Sequence, residues 1–117
     1  KVKDSKIDKT YRAVVKCEKP VSRKDLSRLK HLISEIRQKT PHRVLHRRAD
    51  LLRKRKIRLL RAKYIDKNTF ILTVRSESGL YIKELISGDE GRTSPSVSEI
   101  LANECRCKEL DVVRIHK

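Results

Sequence analysis

Between Arg37 and Lys63 the sequence reads RQKTPHRVLHRRADLLRKRKIRLLRAK, with twelve basic side chains and one acid, Asp50, interleaved with Val44, Leu45, Leu51, Leu52, Ile57, Leu59 and Leu60. That many like charges cannot be buried, and that many aliphatic side chains are not all left in water. A pair of strands with one face against a core and cations on the other satisfies both demands. A merely solvated basic face is the plainer alternative. The even spread of charge over two predicted strands favours a surface that follows a phosphate chain, with Arg43, Arg47, Arg48, Arg53 and Arg55 as its candidate backbone contacts.

The rest of the composition agrees with a polyanionic partner. Lys and Arg number 31 against 15 Asp and Glu, a formal net charge of +16, and a field of that size draws nucleic acid first. The excess is confined to residues 1–63, which hold 23 basic and 6 acidic side chains, against 8 and 9 in the remainder. Anionic membrane is the rival polyanion, but no run approaches the roughly 18 apolar residues of a span, so the chain reads as a soluble, intracellular, cytoplasmic protein. Three cysteines make no disulfide framework. Three Tyr and one Phe are too few for a platform that stacks RNA bases.

Length and patterning give the fold class. With 117 residues, no Met and Lys1 at the start, the chain is expected to be a single partial domain, 1–117, with further sequence upstream. TYRAVVKC (residues 10–17) predicts a strand ending at Glu18-Lys19-Pro20. An amphipathic helix is predicted from an N-cap at Ser22, with Asp25 at N3 and Leu26, Leu29, Ile33 and Ile36 on its apolar face. Asp66 to Asn68 signals a hairpin turn into a strand at Phe70 to Arg75. After Gly79, Ile82, Leu85 and Ile86 predict a short helix closed by Gly88. Ser96 with Glu99 predicts a capping box for a second short helix, and CKELDVVRIHK a final strand. The sum is α+β, a mainly antiparallel sheet with flanking helices.

Few constellations point to chemistry on spacing alone. Cys105-x-Cys107 with Cys17 is a weak zinc pattern, because a second close pair is lacking and a strand simply puts the two thiols on one face. His42 and His46 lie beside Thr40-Pro41 and read as polar surface. No phosphate-cradling glycine motif occurs. Lys83, one lysine on the short apolar helix, reads either as an exposed side chain or as a cation held at the helix start for a carboxylate or phosphate.

Four segments in the same order carry a resemblance. SESGLYIKELISGDEGRTSPSVSEIL is similar to the GTYIKEFVHGDFGRTKPN segment of the archaeal and eukaryotic tRNA pseudouridine(54/55) synthase family, which modifies the T-arm. KTYRAVVKCEKPVS, QKTPHRVLHRRADLLRKRKI and ELDVVRI follow the same family's pattern from about residue 9 to the end. The resemblance implies the C-terminal portion of the pseudouridine synthase fold, tRNA as partner through its T-arm, and neither organic cofactor nor catalytic metal. It implies that Tyr11 packs against the target uracil and assists proton removal, that Lys83 pairs with the catalytic aspartate, and that Leu110 lines the floor of the pocket. The aspartate belongs to a motif of the type R-E-D-x-D-V-R that precedes KTYRA in the family and is not found in these residues. None of Asp25, Asp50, Asp66, Asp89 or Asp111 stands in its context, so no catalytic nucleophile is assigned and the chain alone is expected to be inactive, with the missing N-terminal region of the same protein as a partner. Leu80 replaces the family's Thr, which removes a hydroxyl near the site. A non-catalytic basic RNA-binding module and a ribosome-associated protein are the rival readings.

Overall fold

A computed structural model describes residues 7–117; Lys1, upstream of which further sequence is expected, lies outside the described residues. Six strands, β1 (Asp8–Cys17), β2 (Glu35–Lys39), β3 (Leu52–Asp66), β4 (Thr69–Glu77), β5 (Thr93–Ser94) and β6 (Cys105–His116), form one sheet in the order β5-β2-β3-β4-β1-β6. Every pairing is antiparallel. Three short helices, α1 (Arg23–Ser27), α2 (Ile82–Ser87) and α3 (Val97–Leu101), flank the sheet, with 3-10 turns at Arg28–Leu32, His42–Arg47 and Asp89–Gly91. The α+β class with an antiparallel sheet is as expected from the sequence.

Period-2 burial explains the sheet's two faces. On β4, Phe70, Leu72 and Val74 are buried whereas Ile71, Thr73 and Arg75 are not. On β1 the buried set is Ala13, Val15 and Cys17. These residues meet Leu26, Leu29, Leu32, Leu85, Ile86, Val97 and Leu101 in one core, so the helices cover one face only. The predicted turn is present: the Asp66 carboxylate accepts the Asn68 backbone N–H at 2.9 Å, and β3 and β4 pair on either side of it.

The helix predicted from Ser22 to Ile36 is corrected. Its start is as expected, with Ser22 and Asp25 exchanging cap hydrogen bonds of 3.1 and 2.9 Å. The α-helix nevertheless ends at Ser27, a 3-10 turn follows to Leu32, Ile33 is 45% exposed, and Ile36 belongs to β2. Two physical reasons are legible. Leu26, Leu29 and Leu32 recur every three residues, the 3-10 period, and they are the ones buried. From Glu35 onward the pattern alternates, and the register Ile36↔Arg55 and Gln38↔Arg53 gives the backbone a partner strand.

The capping box at Ser96 is half formed. Ser96 Oγ accepts the Glu99 N–H at 3.1 Å, but the Glu99 carboxylate accepts from the Ser94 hydroxyl instead, at 3.0 Å. Gly88 closes α2 at φ +87, where a side chain is strained, and a Cβ there would stand 2.9 Å from Ser96 Oγ. The end of α2 and the cap of α3 thus share one tight contact.

Phe70 is fully buried at the centre of the sheet. Phe70→Ala is expected to lower the unfolding free energy by about 3–5 kcal/mol, read by urea denaturation. A loss below about 1 kcal/mol would mean that this face is not the core.

Candidate active site

Strands β1 and β6 bring two of the sequence-predicted positions together. Tyr11 is opposite Val74 on β4 and Val112 on β6, and Ala13 is opposite Leu110. Directly opposed residues of an antiparallel pair point to the same face, so Tyr11, Ala13 and Leu110 share the helix-covered face, with Tyr11 and Leu110 as diagonal neighbours. Both side chains are half-buried against the core. Burial pushes the Tyr11 phenol up from its ordinary value, which favours the neutral hydroxyl.

Lys83 is the second residue of α2, which packs on the same face of the sheet. Burial pushes the Cys107 thiol up, the Lys83 ammonium pulls it down, and the Glu84 carboxylate pushes it up again. α2 packs against β6, whose Cys107 is opposite Val15 on β1. Lys83 is exposed and forms no ion pair with the described residues. Two surface clefts, of about 820 and 1020 Å³, lie elsewhere, around Ser87, Glu90 and Glu104, and neither is lined by Tyr11, Lys83 or Leu110. Val112, opposite Tyr11, is 53% exposed.

What fixes α2 is a set of contacts from β2 and from the 3-10 turn that follows it. The Gln38 side chain is fully buried and grips the backbone of Tyr81, the residue before α2. Gln38 Nε2 donates to the Tyr81 carbonyl at 3.0 Å and to Thr93 Oγ1 at 3.0 Å, while Oε1 accepts the Tyr81 N–H at 2.8 Å. Arg43 then makes a two-pronged ion pair with Glu84, Nε to Oε2 at 2.7 Å and Nη2 to Oε1 at 3.3 Å. Its guanidinium also stands 5.7 Å from the Tyr81 ring. The hydrogen bonds to Glu84 raise the Arg43 pKa further, so the guanidinium stays charged.

The segment 40–51 is tied to the turn after α2 by the same logic. The Asp89 carboxylate accepts the His42 backbone N–H at 3.0 Å and meets His42 Nδ1 at 3.2 Å. Arg92 donates to the Thr40 carbonyl at 2.9 and 3.1 Å and pairs with Asp50. This gives the GDEGRT stretch a structural purpose.

The five predicted backbone contacts divide. Arg47 and Arg48 are exposed and free of ion pairs with the described residues. Arg43 is held by Glu84, Arg53 donates to Thr40 Oγ1 at 3.1 Å, and Arg55 donates to the Ser78 and Lys54 carbonyls, each at 2.9 Å. Arg53 and Arg55 stand opposite the inward-facing Gln38 and Ile36. The expectation that β3 turns all its cations to one face is therefore corrected: the pleat sends alternate ones to the helix side.

Gln38 and Glu84 were passed over by sequence reasoning. The available signal was local: a lone amide in an alternating strand, and an acid adjoining Lys83 on the apolar side of a helix. For the cysteines, Cys17 and Cys105 lie opposite each other with Sγ atoms 3.6 Å apart, and burial pushes the Cys105 thiol up to about 12. No group of three or more His, Cys, Asp or Glu side chains placed to hold a metal occurs among the described residues.

Comparison with known proteins is specific. The family profile described as Pus10, C-terminal, matches residues 1–116. The tRNA pseudouridine synthase Pus10 of Methanocaldococcus jannaschii is 53% identical over 110 residues, covering 92% of this chain and 24% of that protein. The protein of the same name from Korarchaeum cryptofilum is 47% identical over 116 residues, covering 98% and 31%. The chain thus spans about a quarter to a third of the length of these relatives. Among solved structures, a chain of a Cbf5-Nop10-Gar1 complex superposes with a TM-score of 0.72 at 25% identity, covering 92% of this chain and 30% of that one. A chain of an H/ACA RNP bound to a substrate RNA containing 2'-deoxyuridine superposes at 0.62 with 19% identity, a likeness of fold.

Replacing Gln38 by Leu keeps the volume and removes the grip. The Tyr81 N–H and the Thr93 hydroxyl lose their partners in a buried site, so a loss of about 1–3 kcal/mol is expected, read from denaturant midpoints. A Gln38→Leu variant as stable as the parent would show that α2 is held by its apolar face alone.

Proposed function

The chain belongs to the family described as Pus10, C-terminal, and from that membership we propose that it forms the C-terminal part of the catalytic domain of a tRNA pseudouridine synthase acting on T-loop uridines. The reaction exchanges the N1–C1′ bond of uridine for a C5–C1′ bond, takes one proton from C5 and gives one to N1. It needs no co-reactant, so the protein's task is to extract the base, hold it and stabilise charge.

One observation carries the reading. Around α2 the cations Arg43 and Arg92 are engaged by carboxylates, whereas Lys83, on a helix gripped at its start, has no acidic partner among the described residues. A nucleophilic carboxylate supplied by sequence outside these residues needs such a cation to remain ionised in a desolvated site. Lys83 takes that role. Leu110 offers an apolar floor, and the half-buried Tyr11 a ring against which uracil stacks.

For Tyr11, burial favours the neutral phenol. That suits stacking and hydrogen bonding; proton removal by the phenolate works against the shift. The exposed Arg47 and Arg48, with the tethered Arg43, Arg53 and Arg55 behind them, form the cationic approach to the site for RNA backbone.

The test uses the full polypeptide that carries these residues and a T-arm transcript. Lys83→Met is expected to lower the rate of pseudouridine formation by at least 10²-fold with tRNA affinity nearly kept, since an interaction used in the transition state is lost. Tyr11→Phe separates the ring from the hydroxyl: a rate within about threefold of the parent assigns stacking, and a large loss assigns proton transfer. Parental rates in both Lys83→Met and a Tyr11→Ala control contradict the assignment.

A further inference from the structure

The face of the sheet that carries no helices bears its own unneutralised charge. On β2, Ile36 and Gln38 point into the core, so Arg37 and Lys39 point away from it, and both are exposed. On β3, Lys54 is opposite Arg37 and Lys56 is opposite Glu35, and both lysines are exposed. Arg37, Lys39, Lys54 and Lys56 form no ion pair, and their side chains no hydrogen bond, with the described residues.

Farther along the same face two cations are paired. Arg58 and Arg75 meet the buried Asp8 carboxylate at 3.2 and 3.1 Å, and Arg58 also reaches Glu77 at 3.4 Å. Like charges directly opposed across an antiparallel pair are destabilising. Asp8 thus gathers Arg58 and Arg75, while Arg12, Arg61 and Lys63 on the same face are exposed without an ion pair among the described residues; at the β2–β3 end Arg37 directly opposes Lys54, with Glu35 as the nearby acid.

We propose that this outer β2–β3 face is a second RNA-backbone surface, separate from Arg47 and Arg48 at the end of the 3-10 turn, that receives phosphates of the tRNA body while the helix-side face holds the target base. The inference rests on the RNA reading above. Charge complementarity selects the occupant: three to four cations in a plane, presented by two rigid strands without aromatic side chains among them, fit a phosphate track and offer nothing for reading bases.

The experiment compares the parent and the triple variant Arg37→Gln/Lys39→Gln/Lys54→Gln in the full polypeptide, measuring tRNA affinity from about 50 to 300 mM salt. Each lost phosphate contact removes about 0.7–0.9 from the slope of log affinity against log salt. A fall in slope of about 2–3 is expected, together with an unchanged rate at saturating tRNA. Without RNA, the single variant Arg37→Gln is expected to melt at or above the parental temperature, because a repulsive pair is removed.

A slope within about 0.5 of the parental value, or an Arg37→Gln variant that melts several degrees lower, overturns the inference. Failure of the broader reading looks different: the parent itself then shows no salt-dependent tRNA binding and no pseudouridine formation.

Discussion

The structure turns on a buried amide. Gln38 reaches from β2 to hold the N–H and carbonyl of Tyr81, and with them the first turn of α2. A six-residue helix has little stability of its own, so its direction is set by what grips it. Here the grip comes from near one edge of the sheet, while α2 also packs against β6 at the other edge. The Arg43–Glu84 pair repeats the tether one turn along. With Glu84 and Arg43 committed to each other, Lys83 is left as the cation that α2 presents.

Much of the fold was legible in the sequence because its signals were short-range. Alternating burial in β1 and β4, the Asp66–Asn68 turn, the Gly88 cap and the Ser22 cap each depend on residues a few positions apart, and each formed. The stretch from Ser22 to Ile36 misled because the leucines at 26, 29 and 32 fit a helix nearly as well as a 3-10 turn. What decided between them was pairing with β3, some twenty residues away in sequence and invisible to a local pattern. The same blindness hid Gln38: nothing within its own strand shows that its partner is the backbone before α2.

Of the site, motif resemblance supplied Tyr11, Lys83 and Leu110, and the sheet register sets Tyr11 and Leu110 on one face as diagonal neighbours. Composition supplied the cationic character but not its direction. Treating the segment 37–63 as one charged surface merged three environments: cations spent on internal carboxylates and carbonyls, such as Arg43 and Arg55; exposed cations at the end of the 3-10 turn, Arg47 and Arg48; and exposed cations on the outer face, Arg37, Lys39 and Lys54. Only the pleat and the pairing register separate them.

In the proposed function α2 is positioned so that Lys83 meets a carboxylate supplied by sequence outside these residues. A crystal structure of the full polypeptide tests it directly. The expected result is Lys83 Nζ within about 4 Å of an aspartate oxygen from outside the present residues, on the face shared with Tyr11 and Leu110. Lys83 standing in solvent, or paired with a carboxylate of the described chain, would contradict it.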